Sequence, residues 1–467
     1  MKSVKTDIPA RLDGLKWSRF HVLVLGALGI SWMLDGLEVT IVGAMGGVLE
    51  NHKTLGLSAG DVGAVASCYV AGAVAGALIF GWLTDRFGRR KIFFLTLGCY
   101  IIGVGLTACS WNFWSFALFR MLTGFGIGGE YAAVNSAIDE LVPARIRGQL
   151  NLAINGTYWL GAAVGAGATI LLLNTARFPI DVGWRLGFGI GGVLGLGVIL
   201  LRNVVPESPR WLITHGYERE AEAAMTEIER RVGEKTPTDK TITLHPKKSF
   251  GFAIIFKIML GEYRARSALV LVLMAAQAFL YNALFFTYAL VLVKFYGVPA
   301  SGAGVFLLPL AAGNFLGPVL LGRLFDTIGR RRMVAGTYGI AGILLAITGY
   351  LFATGALTAA TQTCAWVAIF FFASAAASAA YLTASEIFPL EMRAMAIAIF
   401  YAVGTALGGI AGPLVFGHLI GTGSRWSIFG GYLFAAALML AAAGTAFRLG
   451  IDAQNRSLED IAPPLSA

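Results

Sequence analysis

Apolar runs about as long as a bilayer is thick, each closed by a short polar turn, recur along this chain from His21 to Phe447. A helix rises ~1.5 Å per residue and the hydrocarbon core is ~30 Å thick, so ~20 apolar residues cross it once. Twelve runs meet that length, at about 21–46, 61–84, 91–109, 113–138, 147–173, 186–203, 267–293, 302–322, 333–354, 360–385, 394–420 and 427–447. Segment 204–266 is the long polar stretch, and it separates six runs from six. Within it Ala221, Met225, Ile228 and Val232 recur at helical spacing, which predicts a surface helix over Tyr217–Val232 with one apolar stripe. Gly233–Phe250 reads as an irregular linker. The expected organisation is a polar start (1–20), a six-helix half (21–203), the linker (204–266), a second six-helix half (267–449) and a tail (450–467) that is expected to be mobile.

The halves are related. Gly81–Lys91, GWLTDRFGRRK, returns as Gly322–Arg332, GRLFDTIGRRR, 241 residues later. Glu140-x-x-Pro143-x-x-x-Arg147 returns as Glu386-x-x-Pro389-x-x-x-Arg393, 246 residues later. Two motifs at nearly one offset mark a duplicated bundle, the signature of transporters whose halves rock about a midplane site. The fold expected is therefore all-α and membrane-integral, with twelve transmembrane helices in two pseudo-symmetric halves, each a pair of three-helix repeats.

Composition agrees: the chain is 57% apolar and only 13% charged, and its 60 glycines let lipid-embedded helices approach closely. The net charge of +10 raises the question of a nucleic-acid partner, and the position of the charges answers it. Of 36 Lys and Arg, 30 fall on the side of the termini, 5 on the other, and Arg120 lies inside a span. That bias places both termini in the cytoplasm of a multi-pass inner-membrane protein and accounts for the basic balance without nucleic acid. No cleavable signal is expected before the first span. Cys68, Cys99, Cys109 and Cys364 sit in apolar runs without metal-ligand or disulfide spacing, and no P-loop is present, so no metal or cofactor is expected. No nucleophile–base constellation suggests an enzyme.

Four ionisable residues lie at bilayer depth, where each costs ~2.5–3.5 kcal/mol or more unless paired or facing water. Asp35 and Glu38 stand at i and i+3 in the first span, and Arg120 and Glu130 lie in the fourth. Counting rise from the helix centres puts Glu38 about 7 Å and Arg120 about 9 Å to the same side of the midplane, so an ion pair between them is expected. One cavity holding Asp35, Glu38 and Glu130 against Arg120 carries a formal surplus of negative charge. At least one carboxyl is then expected to take up a proton, which makes these four the proton-coupling candidates. Attraction of a cationic solute and static structural pairing are the competing readings of the same acids.

The motifs resemble those of the major facilitator superfamily, in particular its sugar-porter and metabolite:proton symporter branches. Gly81, Asp85, Arg86, Gly88, Arg89, Arg90 and Lys91 fill the family's loop motif, and the second copy departs from it with Thr327 in place of Arg86. Pro206–Leu212, PESPRWL, and Ser385–Arg393, SEIFPLEMR, look like the sugar-porter signatures after the sixth and tenth spans. The resemblance implies a monomer. It also implies a cytoplasmic charge network that breaks when the inner gate opens, formed by Asp85, Arg86, Arg89, Arg90, Glu140 and Arg147 with Asp326, Arg330, Glu386 and Arg393. It carries the proton-site acid onto Glu38, while Asp35-Gly36-Leu37-Glu38 is close to the first-helix motif of aromatic-acid:proton symporters.

Against the sugar-porter seventh helix, Gln277 and Asn282 match, but Ala276 stands for the first Gln and Phe285-Phe286 for two Tyr. The change favours a less polar or aromatic ligand over a sugar. Tyr281 and Phe285 on that helix, with Tyr131, Asn135, Asn155, Tyr158, Trp159, Asn314 and Tyr381, are further candidates for the wall. The function expected is proton-coupled symport of a small organic solute, an organic or aromatic acid or a sugar-like metabolite, by alternating access. A proton-independent facilitator or exchanger, for example of an organic cation, is the first alternative; a non-transporting sensor on a transporter fold is the second.

Overall fold

The computed structural model describes residues 3–174, 176–199, 205–246, 251–285, 287–298 and 305–466. A strand β1 (Val4–Thr6) and a short helix α1 (Ile8–Gly14) precede six long helices. These are α2 (Arg19–Leu49), α3 (Ala59–Phe87), α4 (Arg89–Ala108), α5 (Phe113–Leu141), α6 (Arg147–Leu172) and α7 (Ile180–Ile199). The linker folds as α8 (Pro209–Thr214), α9 (Glu218–Val232), strand β2 (Ile242–Leu244) and α10 (Phe252–Leu260). The second set begins with α11 (Arg264–Leu280), which passes through a π-helical turn (Tyr281–Phe285) into α12 (Tyr288–Tyr296). It continues with α13 (Leu307–Thr327), α14 (Arg330–Ala353) and α15 (Ala359–Glu386). Helix α16 (Arg393–Gly404) passes through a second π-helical turn (Thr405–Gly409) into α17 (Ile410–Gly421), and α18 (Arg425–Leu449) and a terminal turn α19 (Leu458–Ile461) follow. With each π-joined pair taken as one span, the described residues place six spans before the linker and six after it.

Local chemistry sets the ends of these helices. Ser58 with Asp61, Asn112 with Ser115, and Thr358 with Thr361 form capping boxes that start α3, α5 and α15, satisfying first-turn N–H groups that lipid cannot. In the repeated loop motif Gly88 and Gly329 adopt φ of 100° and 115°, so only glycine turns the chain there without strain. Close approach matters between α2 and α6: a Cβ on Gly36 would collide with the Tyr158 carbonyl, and one on Gly161 with that of Met33. That contact keeps α2 and α6 tight, and both supply the central site.

Two large apolar clusters form rather than one. The first draws on the first six spans and the linker, from Ile8 to Leu244. The second draws mainly on the last six, with Ala77, Ala132 and Leu152 joining from the other side. A small cluster of Trp159, Ala162 and Ala311 bridges them. The halves thus keep largely separate cores, and they meet where α13 packs on α6 and α16 on α3.

On the face that bears the termini, the ends of the chain depart from expectation. β1 pairs antiparallel with β2, Val4 opposite Leu244, so the stretch expected to be irregular carries a strand of a two-stranded ribbon in an otherwise helical protein. Arg11 on α1 bonds Glu229 and Glu222 on α9, each at 2.7 Å, and Ala221, Met225 and Ile228 bury the stripe of α9. The tail is docked rather than free. Glu391 accepts the N–H groups of Leu465 and Ser466, both at 3.0 Å, Arg266 donates to the Ile461 carbonyl at 3.0 Å, and Leu458 and Ile461 are buried. The tail's composition gives no sign of this order, because its partners Arg266 and Glu391 lie far away in the chain.

Candidate functional site

A cavity of about 240 Å³ lies between the halves. Helix α2 presents Trp32, Asp35 and Val39 on one face, at i, i+3 and i+7. Tyr69 comes from α3, Tyr131 from α5, and Asn155, Tyr158 and Trp159 from α6. The π-helical turns break the helical register where they meet the cavity, and they bring in Tyr281, Asn282 and Thr405 beside Gln277. Helix α15 adds Ser374, Ser378 and Tyr381, and α16 adds Tyr401.

The wall is aromatic. Tyr131 stacks on Tyr401 with centroids 4.5 Å apart, Trp32 meets Tyr131 edge-on at 4.3 Å, and Trp159 stacks on Tyr281 at 5.8 Å. Amid these rings Asp35 is the one ionisable carboxyl among the lining residues, and no Lys or Arg lines the cavity among the described residues. Tyr131 donates its hydroxyl to Asp35 Oδ2 at 3.0 Å, and Tyr69 reaches Oδ1 at 3.5 Å.

The four intramembrane charges do not share this cavity. Arg120 Nη1 is in hydrogen-bond contact with Glu38 Oε1, both buried, and the guanidinium sits 4.4 Å over the Tyr69 ring and 5.8 Å from that of Phe188. Tyr69 thus touches both the ion pair and Asp35. Glu130 does not line the cavity; with Ser31, Leu34, Leu97, Tyr100 and Ile127 it borders a small void that Asp35 also borders from its other side. One residue along a helix is about 100° of rotation, so Tyr131 faces the cavity and Glu130 faces α4. The expectation that all three acids share one cavity is corrected accordingly.

Of the other wall candidates, Asn155, Tyr158, Trp159, Gln277, Tyr281, Asn282, Tyr131 and Tyr381 line the cavity. Asn135 and Asn314 are fully buried behind it, where Asn135 accepts from Asn155 at 3.1 Å and Asn314 accepts from the Tyr281 hydroxyl at 2.7 Å. They support lining residues rather than face a solute. The side chain of Phe285 lies outside the described residues. Trp32, Tyr69 and Tyr401 were missed, although the spacing of Trp32 to Asp35 already put both on one face.

Below the cavity the face bearing the termini is sealed by charges that cross the seam. Asp85, at the end of α3, accepts the backbone N–H groups of Ala394 (3.2 Å) and Met395 (2.9 Å) at the start of α16. Asp326, its repeat partner at the end of α13, accepts those of Gly148 (3.1 Å) and Gln149 (2.7 Å) at the start of α6. Each loop-motif aspartate therefore caps a helix of the opposite half, where the helix dipole favours an anion. Arg89 bonds Glu140 at 2.8 Å and Asp85 at 3.1 Å, and Arg330 bonds Glu386 at 2.9 Å and Asp326 at 2.8 Å. Arg393 approaches Glu140 at 3.5 Å and Arg147 approaches Glu386 at 3.9 Å. Arg86 stands outside this network: it is exposed, with its guanidinium 5.1 Å from the Trp82 ring. Arg90 donates its backbone N–H to Glu207 at 3.4 Å.

The same charge network includes residues the repeat did not point to. Glu207 accepts the Arg89 N–H at 2.9 Å, which supplies the cap that Gly88 cannot. Burial outweighs those N–H groups and keeps the Glu207 carboxyl above its ordinary range. Arg210 bridges Asp13 (2.9 Å) and Glu459 (2.8 Å), and Arg147 reaches Asp13 at 3.0 Å. Burial pushes the Asp13 carboxyl up, but the Arg210 and Arg147 guanidiniums outweigh it and hold it below the usual range. Trp211 Nε1 donates to the Asp85 carbonyl at 2.8 Å. Glu207, Arg210 and Trp211 all belong to the PESPRWL signature, so their position was visible and their bonding was not.

A family model described as "Sugar (and other) transporter" matches residues 37–464. The chain is 28% identical over 457 residues to the niacin transporter NiaP of Acinetobacter baylyi, covering 97% of this chain and 99% of that one. It is 25% identical over 443 residues to the 4-hydroxybenzoate transporter PcaK of the same organism, covering 90% and 89%. Among solved structures, the fold matches that of the proton:xylose symporter XylE bound to 6-bromo-6-deoxy-D-glucose, with a TM-score of 0.79 at 18% identity over 95% of this chain and 98% of that one.

Proposed function

The chain belongs to the sugar (and other) transporter family within the major facilitator superfamily, a multi-pass membrane transporter and not an enzyme, and from that premise we propose that it is a proton-coupled symporter of a small aromatic or heteroaromatic acid. One observation carries this reading: the central cavity offers a ring-shaped solute several aromatic faces and a single carboxyl, Asp35, with no Lys or Arg among the described lining residues. An anionic ring meets repulsion from ionised Asp35. It meets a hydrogen-bond donor when Asp35 carries a proton, so solute and proton bind together or not at all. The amides of Asn155, Gln277 and Asn282 then orient the solute's polar substituents. Relatives named for niacin and 4-hydroxybenzoate point to the same ligand class.

In this reading both termini face the cytoplasm, which the Lys and Arg distribution supports, and the sealed gate is the inner one. The cross-seam bonds of Asp85 and Asp326 support assigning this arrangement to a stage of the cycle with the inner side closed. Glu38 and Arg120 hold the second titrating position, tied to Asp35 through Tyr69. Protonation of Glu38 frees Arg120 to turn toward Asp35, which links proton occupancy to the geometry of the cavity.

The test is purified protein in liposomes, with labelled nicotinate, 4-hydroxybenzoate and xylose offered with and without an imposed proton gradient. The ring acids are expected to accumulate only under the gradient and xylose not at all. Asp35→Asn is expected to bind nicotinate with an affinity that no longer varies with pH. Uptake unchanged when the gradient is collapsed defeats the symport reading. A carboxyl among aromatic faces also suits an organic cation, and that second reading is marked by uptake of a cationic ring that falls on acidification.

A further inference from the structure

A chain of buried hydrogen bonds leads from the cavity to the inner gate, and it ends on an acid that neither the repeat nor the gate motifs include. Asn155 lines the cavity, and its Nδ2 donates inward to Asn151 Oδ1 at 2.9 Å and to Asn135 Oδ1 at 3.1 Å. Asn151 Nδ2 donates to Asp139 Oδ1 at 2.9 Å. Ser385, 246 residues away on α15, places its hydroxyl in contact with Asp139 Oδ2. Asn151, Asp139 and Ser385 are each fully buried. The last bond crosses the seam between the halves.

Asp139 differs from its neighbours in the gate. Among the described residues it has no ion-pair partner within 4 Å, while Glu140, Glu386 and Asp326 each have one. Both of its bonds come from neutral donors, one on each half. It faces Arg147 on α6, Arg393 on α16 and Glu386 on α15, and Glu140 adjoins it on its own helix. Ser385 Oγ also lies 2.9 Å from the Leu382 carbonyl. The hydroxyl can therefore donate to ionised Asp139, or turn to Leu382 and accept from protonated Asp139. The seam bond survives either way, but only the ionised form has charge assistance, which roughly doubles the strength of such a bond.

We propose that Asp139 is a proton-sensitive latch between the two halves, bonded across the seam to Ser385, and that Asn151 and Asn155 tie this latch to the solute cavity. The proposal rests on the transport reading for its meaning and not for its test. Ionised, Asp139 holds the inner gate shut; neutral, it loosens the gate. Asn155 commits its amide N–H groups inward, which turns its carbonyl oxygen away from that chain of bonds, and the residue lines the cavity. A solute that draws on that oxygen pulls on a chain ending at the gate. Asp139 touches no solute and acts as a positioning residue.

The experiment uses the full chain in nanodiscs, native cysteines replaced, with spin labels at Lys91→Cys and Arg332→Cys, exposed positions at the starts of α4 and α14. Distances are read at pH 7.5 and 5.5 without solute. In Asp139→Asn the open-gate component at pH 7.5 is expected to exceed that of the parent by about fivefold or more, with a smaller further change on acidification. Ser385→Ala, which removes the partner across the seam, is expected to open the gate at pH 7.5 as well. If both variants keep the parent's distances at pH 7.5, the latch is wrong. A second arm follows nicotinate by tryptophan fluorescence. If the parent binds it, Asp139→Asn is expected to change its dissociation constant by about fivefold, and an unchanged constant overturns the tie to the cavity. If the parent does not bind nicotinate, the ligand reading of the preceding section fails while the distance arm still decides the latch.

Discussion

Asp85→Asn tests whether the sealed face is held by carboxylates that cap helices of the opposite half. Asp85 gives one oxygen to the N–H of Ala394 and the other to that of Met395, at 3.2 and 2.9 Å. Asparagine keeps one acceptor, replaces the other with an NH₂ that faces an N–H, and removes the charge from the start of α16. A bond to a charged group contributes about 1.5–3 kcal/mol net, and loss of an anion at a helix N-terminus costs a further few tenths to 1 kcal/mol. A total of about 2 kcal/mol lowers the closed-to-open ratio of the inner gate about 30-fold. The assay is alkylation of Met395→Cys, nearly fully buried in the closed gate, by a membrane-impermeant maleimide in inside-out vesicles of a variant lacking the native cysteines. The rate is expected to rise about 30-fold in Asp85→Asn, and Asp326→Asn, which removes the matching bonds at the start of α6, is expected to move it in the same direction. Rates within about threefold of the parent in both variants would refute the capping argument, because loss of one charge-assisted bond and of the anion at each helix start cannot have so small an effect.

Glu38→Gln is expected to abolish gradient-driven accumulation and to spare counterflow exchange, and equal loss of both in proteoliposomes would assign Glu38 to structure or to solute contact. Trp159→Ala removes the face stacked on Tyr281 and is expected to weaken nicotinate binding by about tenfold, against about threefold for Tyr281→Phe, which loses only the 2.7 Å bond to Asn314; isothermal titration ranks the two. His215 is buried against Trp211, and burial lowers its imidazole from 6.5 to about 4. A depressed histidine stabilises the fold fully above 6.5, and that contribution is lost as pH falls toward 4, at a cost on the order of 3 kcal/mol. His215→Gln is therefore expected to flatten the fall in thermal midpoint between pH 6.5 and 4, and an unchanged slope would discount the burial.

Much of the architecture could be read before any coordinate was known, because a bilayer imposes length and polarity on each span separately. The duplicated loop motif needs no tertiary information to be recognised, since it is a comparison of the chain with itself. The Glu38–Arg120 contact was legible for a related reason: charges at matched depth in lipid have few partners to choose from. The site was legible only in part, because helical rotation, unlike depth, depends on the neighbours of each helix. Glu130 and Tyr131 are adjacent in sequence, yet packing of α5 against α4 turns one away from the cavity and the other into it. Asn135 and Asn314 looked like wall residues by composition and serve instead as supports behind the wall.

What the sequence determined alone was thus whatever follows from local period and from internal repetition: the spans, their duplication, the polar linker with its striped helix, and the polar residues too costly to leave unpaired in lipid. Only the tertiary structure decided which of those residues share a cavity, that Asp85 and Asp326 cap helices of the opposite half, that the tail docks on Glu391, and that Asp139 meets Ser385 across 246 residues. The physical reason is the same in each case. A hydrogen bond is specific to a few tenths of an ångström and to direction, and such placement between distant segments is fixed by helix rotation and close packing, which no single stretch of the chain encodes.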